Sequence, residues 1–325
     1  MLQSGRAALA AIALVIGCKS PPPEVPVQEP GDPDEAKKEI KSLLGEVYQS
    51  VRRSNAPGMM SLAAPDVFVA GPRHGDLGLE RSEALVALDD AIRGKKSHKV
   101  KSTKLDVGAA VDGRSAWAVD QIDVDGKSFV VVALAAELDG LWALTAVHVA
   151  RSGGGGGAPT SPPQSWRAPA QGANPAHGAA AADAEKVLAQ LTGEPELRVD
   201  YLDHYADRQS IVVRASGGKK AALRGVKAIK KAWKKKPPVW TVDAPLAAAS
   251  TPDGAFAWVL APASIDDEPA GSRRVLIVLE KFDVEVEADG EGDGDGGGGG
   301  DAEEAPVIQG LPWRLVVLHE SAPDA

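Results

Sequence analysis

Apolar residues recur at helical spacing near the start of two long stretches, then give way to strand-like runs broken by Asp-Gly pairs. Behind Pro33-Asp34, residues Ile40, Leu43, Leu44, Val47 and Val51 fall on one side of a 3.6-residue period, which predicts a long amphipathic helix over residues 34–53. A short helix near 57–63, a strand at 67–70 and a helix over 82–92 follow. Strands are then predicted over 99–111, 115–123, 127–137 and 141–150, with turns at Asp112-Gly113, Asp125-Gly126 and Asp139-Gly140. Asp-Gly between alternating runs is a strong hairpin signal, because both turn positions tolerate positive φ.

The second stretch follows the same plan. Helices are predicted over 180–191, 196–205 and 226–233, and strands over 211–213, 240–249, 255–263, 273–282 and 313–319. Val67-Phe68-Val69 and Ile211-Val212-Val213 match at an offset of 144, and a D-G-x-x-A-W motif at Asp112–Trp117 returns at Asp253–Trp258. Near the end of each stretch W-x-L-x-x-x-H recurs, as Trp142 to His148 and Trp313 to His319. Three matches in one order predict a duplicated unit. Residues 151–177, rich in Gly and Pro, cannot build a core and read as a linker. Residues 283–309, acidic and Gly-rich, interrupt the last hairpin of the second unit.

Helices followed by a meander indicate an α+β fold. At 325 residues, with 44% apolar and 25% charged residues, the chain has the composition of packed domains rather than of a disordered or polytopic membrane protein. The formal charge of −9 argues against general nucleic-acid binding, which needs phosphate neutralisation. One cysteine, Cys18, allows neither an intrachain disulfide nor a multi-cysteine zinc site. No P-loop, zinc motif or G-x-S-x-G elbow is present. No cofactor or metal is expected.

Arg6 precedes an apolar run of ten residues, Ala7 to Ile16, too short to remain as a spanning helix, so residues 1–17 read as a signal peptide. Leu14-Val15-Ile16-Gly17-Cys18 is similar to the bacterial lipobox. That resemblance implies that Cys18 becomes a diacylglycerol-modified N-terminus on the Pro-rich tether 18–33; an ordinary secretory signal with a coincidental cysteine is the alternative. Lys19, in place of the Asp that marks inner-membrane retention, favours the outer membrane by the same resemblance. The expected location is the bacterial cell envelope, on its periplasmic or surface face.

The order of elements, with Pro65 to Pro72, Gly75-Asp76, Glu80-Arg81, Asp112-Gly113 with Trp117, and Gly140 to His148, resembles the SnoaL-like family of the nuclear transport factor 2-like superfamily. The resemblance implies two cone-shaped domains, residues 34–150 and 178–320, each a curved antiparallel sheet wrapped around N-terminal helices and enclosing an apolar pocket. Such domains serve as isomerases, cyclases, dehydratases and non-catalytic binding modules, so fold alone assigns no chemistry.

Strand alternation predicts that Trp142, Leu144, Ala146 and His148 share a face, as do Trp313, Leu315, Val317 and His319. The two histidines then either touch a ligand at the pocket mouth or cap the strand ends. The candidate pocket comprises His148, Trp142, Trp117, Tyr48, His319, Trp313 and Trp258. Asp66, Asp120 and Asp123 are candidate acids for Tyr48, with no spacing that fixes them together. No acid–base set repeats between the halves, so no catalytic residues are assigned. Tyr201 and Tyr205, with His204 beside them, suit packing. Nine basic residues between Lys219 and Lys236 read as a solvated helix face or an anionic-surface site. The alternating acids Asp289, Glu291, Asp293 and Asp295 lack a Glu at the twelfth position of a calcium loop and read as a solvating linker. The expected protein is a lipid-anchored, non-catalytic binder of a small apolar ligand or an envelope protein, with no nucleic acid and with an intramolecular pseudo-dimer possible. An isomerase- or cyclase-type enzyme with acid–base residues in one pocket is the alternative.

Overall fold

The computed structural model describes residues 30–73, 75–78, 81–92, 94–152, 175–193, 197–214, 222–236, 238, 240–265, 268–282 and 311–323. The signal, Cys18, most of the tether, most of the 151–177 linker and the 283–309 insertion lie outside the described residues. Residues Gly31–Ala325 form one compact unit. Among the described residues no helix is long and apolar enough to cross a membrane.

The first half begins with α1 (Pro33–Arg52), whose start is set by Pro33 in the first turn and by the Asp32 carboxylate accepting from the Asp34 amide at 2.8 Å. Then come α2 (Ala56–Met60), β1 (Ala63–Ala70), β2 (Leu77–Gly78), α3 (Arg81–Ile92), β3 (Val100–Ala109), β4 (Ser115–Val124), β5 (Lys127–Leu138) and β6 (Leu141–Arg151). Asp125 and Asp139 adopt positive φ of 53° and 51°, each followed by a positive-φ glycine, as tight hairpins demand. The sheet order is β2-β1-β6-β5-β4-β3, antiparallel except that β1 and β6 run parallel. β1 starts at Ala63, four residues before the predicted strand, and passes a register irregularity between Ala63 and Phe68.

The second half contains α4 (Pro175–Thr192), α5 (Arg198–Tyr205), β7 (Ala206–Arg214), β8 (Ala222–Arg224), α6 (Val226–Lys235), β9 (Trp240–Val242), β10 (Ala247–Ser250), β11 (Phe256–Ile265), β12 (Arg273–Lys281) and β13 (Trp313–Ser321). Its order, β10-β11-β12-β13-β7-β8, repeats that of the first sheet strand for strand, including the parallel pair β7/β13. The single strand predicted over 240–249 is two strands. Both pair with β11, and the chain bulges between them, where Pro245 offers no amide to a ladder.

The central strands of each sheet bury both faces, whereas the edge strand β3 is largely exposed. α1 packs on the inner face of the first sheet, and α4, α5 and α6 cover that of the second. The outer faces meet back to back in one buried cluster that includes Phe68, Trp117, Val132 and Leu134 from the first half and Phe256, Trp258, Leu276 and Val317 from the second. Phe68 stacks on Trp258 with ring centroids 4.4 Å apart. Burial of both faces explains the unbroken apolar runs of β5, β11 and β12, which a half-exposed sheet would not carry.

A bulge in the last strand of each half redirects its side chains. Leu134 pairs with Ala146 and Ala135 with Leu144, leaving Thr145 as the extra residue. In the second half Val278 pairs with Val317 and Leu279 with Leu315, leaving Val316. An inserted residue inverts the alternation. Trp142 and Leu144 therefore face inward while Ala146 and His148 face the other sheet, and Trp313 and Leu315 separate in the same way from Val317 and His319. The expectation of one continuous stripe on each strand is corrected.

Candidate functional site

The inner face of the first cone encloses a cavity of about 200 Å³. α1 contributes Leu44, Val47, Tyr48 and Val51, one helical stripe. α2 contributes Met59 and Met60, and the inward residues of β4, β5 and β6 contribute Ile122, Phe129, Val131, Leu144, Val147 and Val149. β1 adds Ala63, Val67 and Val69, β3 adds Val100 and β4 also Val124, and Gly71, Pro72 and Asp76 of the loop after β1 form one edge. The lining is almost wholly apolar, the ordinary character of a small-molecule site.

Tyr48 is the polar group that the long helix brings to this wall. Its hydroxyl donates to the Asp120 carboxylate at 2.9 Å, and Ser102 Oγ donates to the other carboxylate oxygen at 2.9 Å. Asp120 is fully buried on β4. Burial raises its carboxyl above the ordinary range, with the two hydroxyl donors pulling the other way. Burial and the Asp120 charge push the Tyr48 phenol far above its ordinary value, so it stays protonated. Of the candidate acids, Asp120 is the one joined to Tyr48.

Asp76 folds the loop at the cavity edge. Its carboxylate accepts from the Arg73 amide and from Arg73 Nε, both at 3.1 Å, and its carbonyl accepts from the Gly71 amide at 2.6 Å. Across the junction, Arg274 of β12 is buried and donates to the carbonyls of Gly71 and Arg73 at 3.3 Å each. Burial pulls its guanidinium down to about 10, with the Asp76 charge acting against the shift. No role for Arg274 is read from the sequence; the signal for it is an Arg-Arg pair immediately before the apolar run 275–279 of β12.

The remaining predicted pocket residues lie elsewhere. His148 and His319 sit at the centre of the back-to-back junction, both buried, with their Nδ1 atoms 3.1 Å apart. One Nδ1 must donate and the other accept, so the rings hold opposite tautomers. His148 falls well below its ordinary value through burial first, then the charges of His319 and Arg274, and burial takes His319 down to about 3. Trp117 and Trp258 also belong to the junction. Trp142 packs at the edge of the inner core of the first cone, outside the cavity wall. Trp313 lies in the core of the second cone, donating from Nε1 to Asp183 at 3.2 Å. Tyr48 is thus the one residue of the predicted set that lines the cavity.

The second cone is furnished differently. Tyr205, Trp233, Trp240 and Trp313 fill its core, Trp233 meeting Trp240 edge to face at 5.8 Å. Glu320, buried at the end of β13, accepts from Trp240 Nε1 at 3.1 Å and from Arg273 at 2.5 Å, with Arg214 at 3.6 Å. On α6, Ile229 and Trp233 point inward, and Lys230 pairs with Asp203. Among the described residues no group of three or more metal-binding side chains converges.

No protein-family model matches the chain, and no curated protein matches it. Among solved structures it is similar to an NTF2-like protein of unknown function from Pseudomonas putida, with 18% identity and a TM-score of 0.33 over 37% of this chain and 89% of that one. ActVI-ORFA from Streptomyces coelicolor is similar at 20% identity and a TM-score of 0.31, over 35% of this chain and 95% of that one. A putative dehydratase of the NTF2-like family from Streptomyces avermitilis is similar at 15% identity and a TM-score of 0.32, over 37% of this chain and 98% of that one.

Proposed function

We propose that the protein is a lipid-anchored component of the bacterial cell envelope, on the outer-membrane side, built as a tandem pair of SnoaL-like cones in which the first takes up a small apolar ligand. The cavity of about 200 Å³ walled by α1, α2 and the inner sheet face carries this reading. Engineered apolar cavities of about 150 Å³ bind benzene, so this volume suits a one- or two-ring hydrocarbon skeleton. The repeated strand order and the matching bulges support duplication, and the back-to-back sheets suit an intramolecular pseudo-dimer. The short apolar run ending at Cys18 supports the anchor.

The test is a titration of the full chain with 2-naphthol, followed by its own fluorescence. Saturable one-to-one binding is expected, weakened at least tenfold in Val131→Phe, which fills the cavity wall. A wild-type chain that binds no naphthol defeats the ligand reading. For the anchor, Cys18→Ser is expected to move the protein from the detergent phase to the aqueous phase, and unchanged partitioning defeats it.

Catalysis is the second reading, favoured by the Tyr48–Asp120 hydrogen bond beside the cavity. A carboxylate there could take a proton from carbon next to a carbonyl. Deuterium exchange into 2-tetralone by the wild type, absent in Asp120→Asn, would establish that reading over simple binding.

A further inference from the structure

We propose that Arg274, a residue of the second cone, is a positioning residue for the ligand cavity of the first; this rests on the binding function proposed above. The loop 71–76 forms one edge of the cavity through Gly71, Pro72 and Asp76. Among its described residues the turn is closed by the Gly71 amide to the Asp76 carbonyl, the Asp76 amide to the Arg73 carbonyl, the Leu77 amide to the Gly75 carbonyl and the Arg73–Asp76 contacts. Two of its carbonyls, those of Gly71 and Arg73, point across the junction and accept from separate nitrogens of the Arg274 guanidinium. A planar fork can bridge two fixed carbonyls in this way, whereas an ammonium is a single point. Asp76 supplies the nearby opposite charge that the buried cation needs.

This contact has no counterpart from β5 of the first cone. By sheet register, Val130 of β5 occupies the position in the first cone that Arg274 holds in the second: Val130 pairs with Ala150, and Arg274 with Ser321. Valine can donate nothing to a loop of the second cone. Arg274 therefore braces the cavity edge of the first cone through a contact that β5 does not return, while elsewhere between the halves Arg224 of the second cone pairs with Asp106 of the first at 2.5 Å. In mechanism, the brace holds the Gly71–Asp76 turn against the cavity and slows escape of the ligand.

Two variants of the full chain test this, with 2-naphthol as the probe. Arg274→Lys keeps the charge and loses the fork; Arg274→Met keeps much of the volume and loses all donors. Both are expected to release naphthol at least fivefold faster than the wild type. Amide hydrogen exchange at residues 71–77 is expected to accelerate, while exchange in α1 and β5 stays as in the wild type. Should Arg274→Met fail to fold, Arg274→Lys carries the test alone. Unchanged release, or faster exchange spread evenly over the first cone, overturns the proposal and leaves Arg274 a purely structural residue. Failure of the underlying binding reading is separate, because there the wild-type chain itself would bind no naphthol.

Discussion

The two cones share a strand order, a bulge in the last strand and an outward histidine after it, yet their interiors differ. Sheet register aligns them residue by residue, since Val131 pairs with Val149 where Val275 pairs with Glu320. At one end of the first cone stand Phe129, Val149 and Gly71, all on the cavity wall. The matching positions of the second are Arg273, Glu320 and Arg214, a buried ionic cluster tied to Trp240. The same backbone topology thus carries an apolar wall at one end of the first cone and charged groups at the matching end of the second, and a handful of inward residues decides which. A buried ion pair is a poor source of net stability, but removing one partner is costly because it leaves the other charge buried and uncompensated.

Opening the aromatic core of the second cone should have the largest effect. Trp233 is 1% exposed and packs on Trp240. Trp233→Ala is expected to lower unfolding free energy by about 3–5 kcal/mol, measured by urea denaturation. Its indole N–H is buried without a hydrogen-bond partner among the described residues, so Trp233→Phe should cost clearly less than its lost volume suggests. Equal losses in the two variants would mean that a phenyl ring recovers none of the packing that the indole supplies. A second naphthol site appearing in Trp233→Ala would make the two cones alike.

Acid should act next, at the contact between the cones. In the folded chain His148 and His319 titrate below their ordinary range, His319 at about 3, because burial at the junction disfavours the imidazolium. The unfolded chain then binds more protons than the folded one between about pH 6.5 and 3. Stability is therefore full above this window and falls as pH drops through it. Each histidine contributes a slope of up to about 1.4 kcal/mol per pH unit, or about 2 kcal/mol between pH 6.5 and 5. Urea titrations at pH 7, 6 and 5 should show this loss. The double variant His148→Phe, His319→Phe should flatten the slope, and an unchanged slope would place the acid sensitivity elsewhere.

Much of the architecture was legible because helices and hairpins are local. The 3.6-residue stripe of α1 and the Asp-Gly turns state their own structure, and the repeated D-G-x-x-A-W and W-x-L-x-x-x-H motifs foretold two sheets of one order. What alternation misses is an inserted residue. Nothing in Leu141–His148 announces that Thr145 bulges, so alternation predicts His148 on the face of Trp142 whereas it faces outward. The unbroken apolar runs of β5 and β12 were a sign that both faces are covered. The Tyr48–Asp120 contact joins residues 72 positions apart, beyond the reach of spacing, and only the curvature of the sheet onto α1 brings them together.

The smallest effect compares a buried phenol from each cone. Tyr48 donates to a buried carboxylate, whereas Tyr205 donates to the neutral Gln190 amide oxygen at 2.6 Å. Tyr48→Phe leaves Asp120 with Ser102 as its remaining hydroxyl donor, at a cost of about 1–2 kcal/mol at neutral pH. Tyr205→Phe is expected to cost about 0.5–1.5 kcal/mol, the net value of a neutral hydrogen bond. The two losses should part company on acidification. The Asp120 carboxyl is already raised by burial and rises further without the phenol, so the folded variant takes up a proton before the unfolded chain does. The Tyr48→Phe penalty therefore shrinks as pH falls toward the carboxylate range, while that of Tyr205→Phe, with no carboxylate partner, stays level. Parallel pH profiles for the two variants would mean that Asp120 is already neutral at pH 7, and the first cone would then hold a protonated acid beside its cavity instead of an anion.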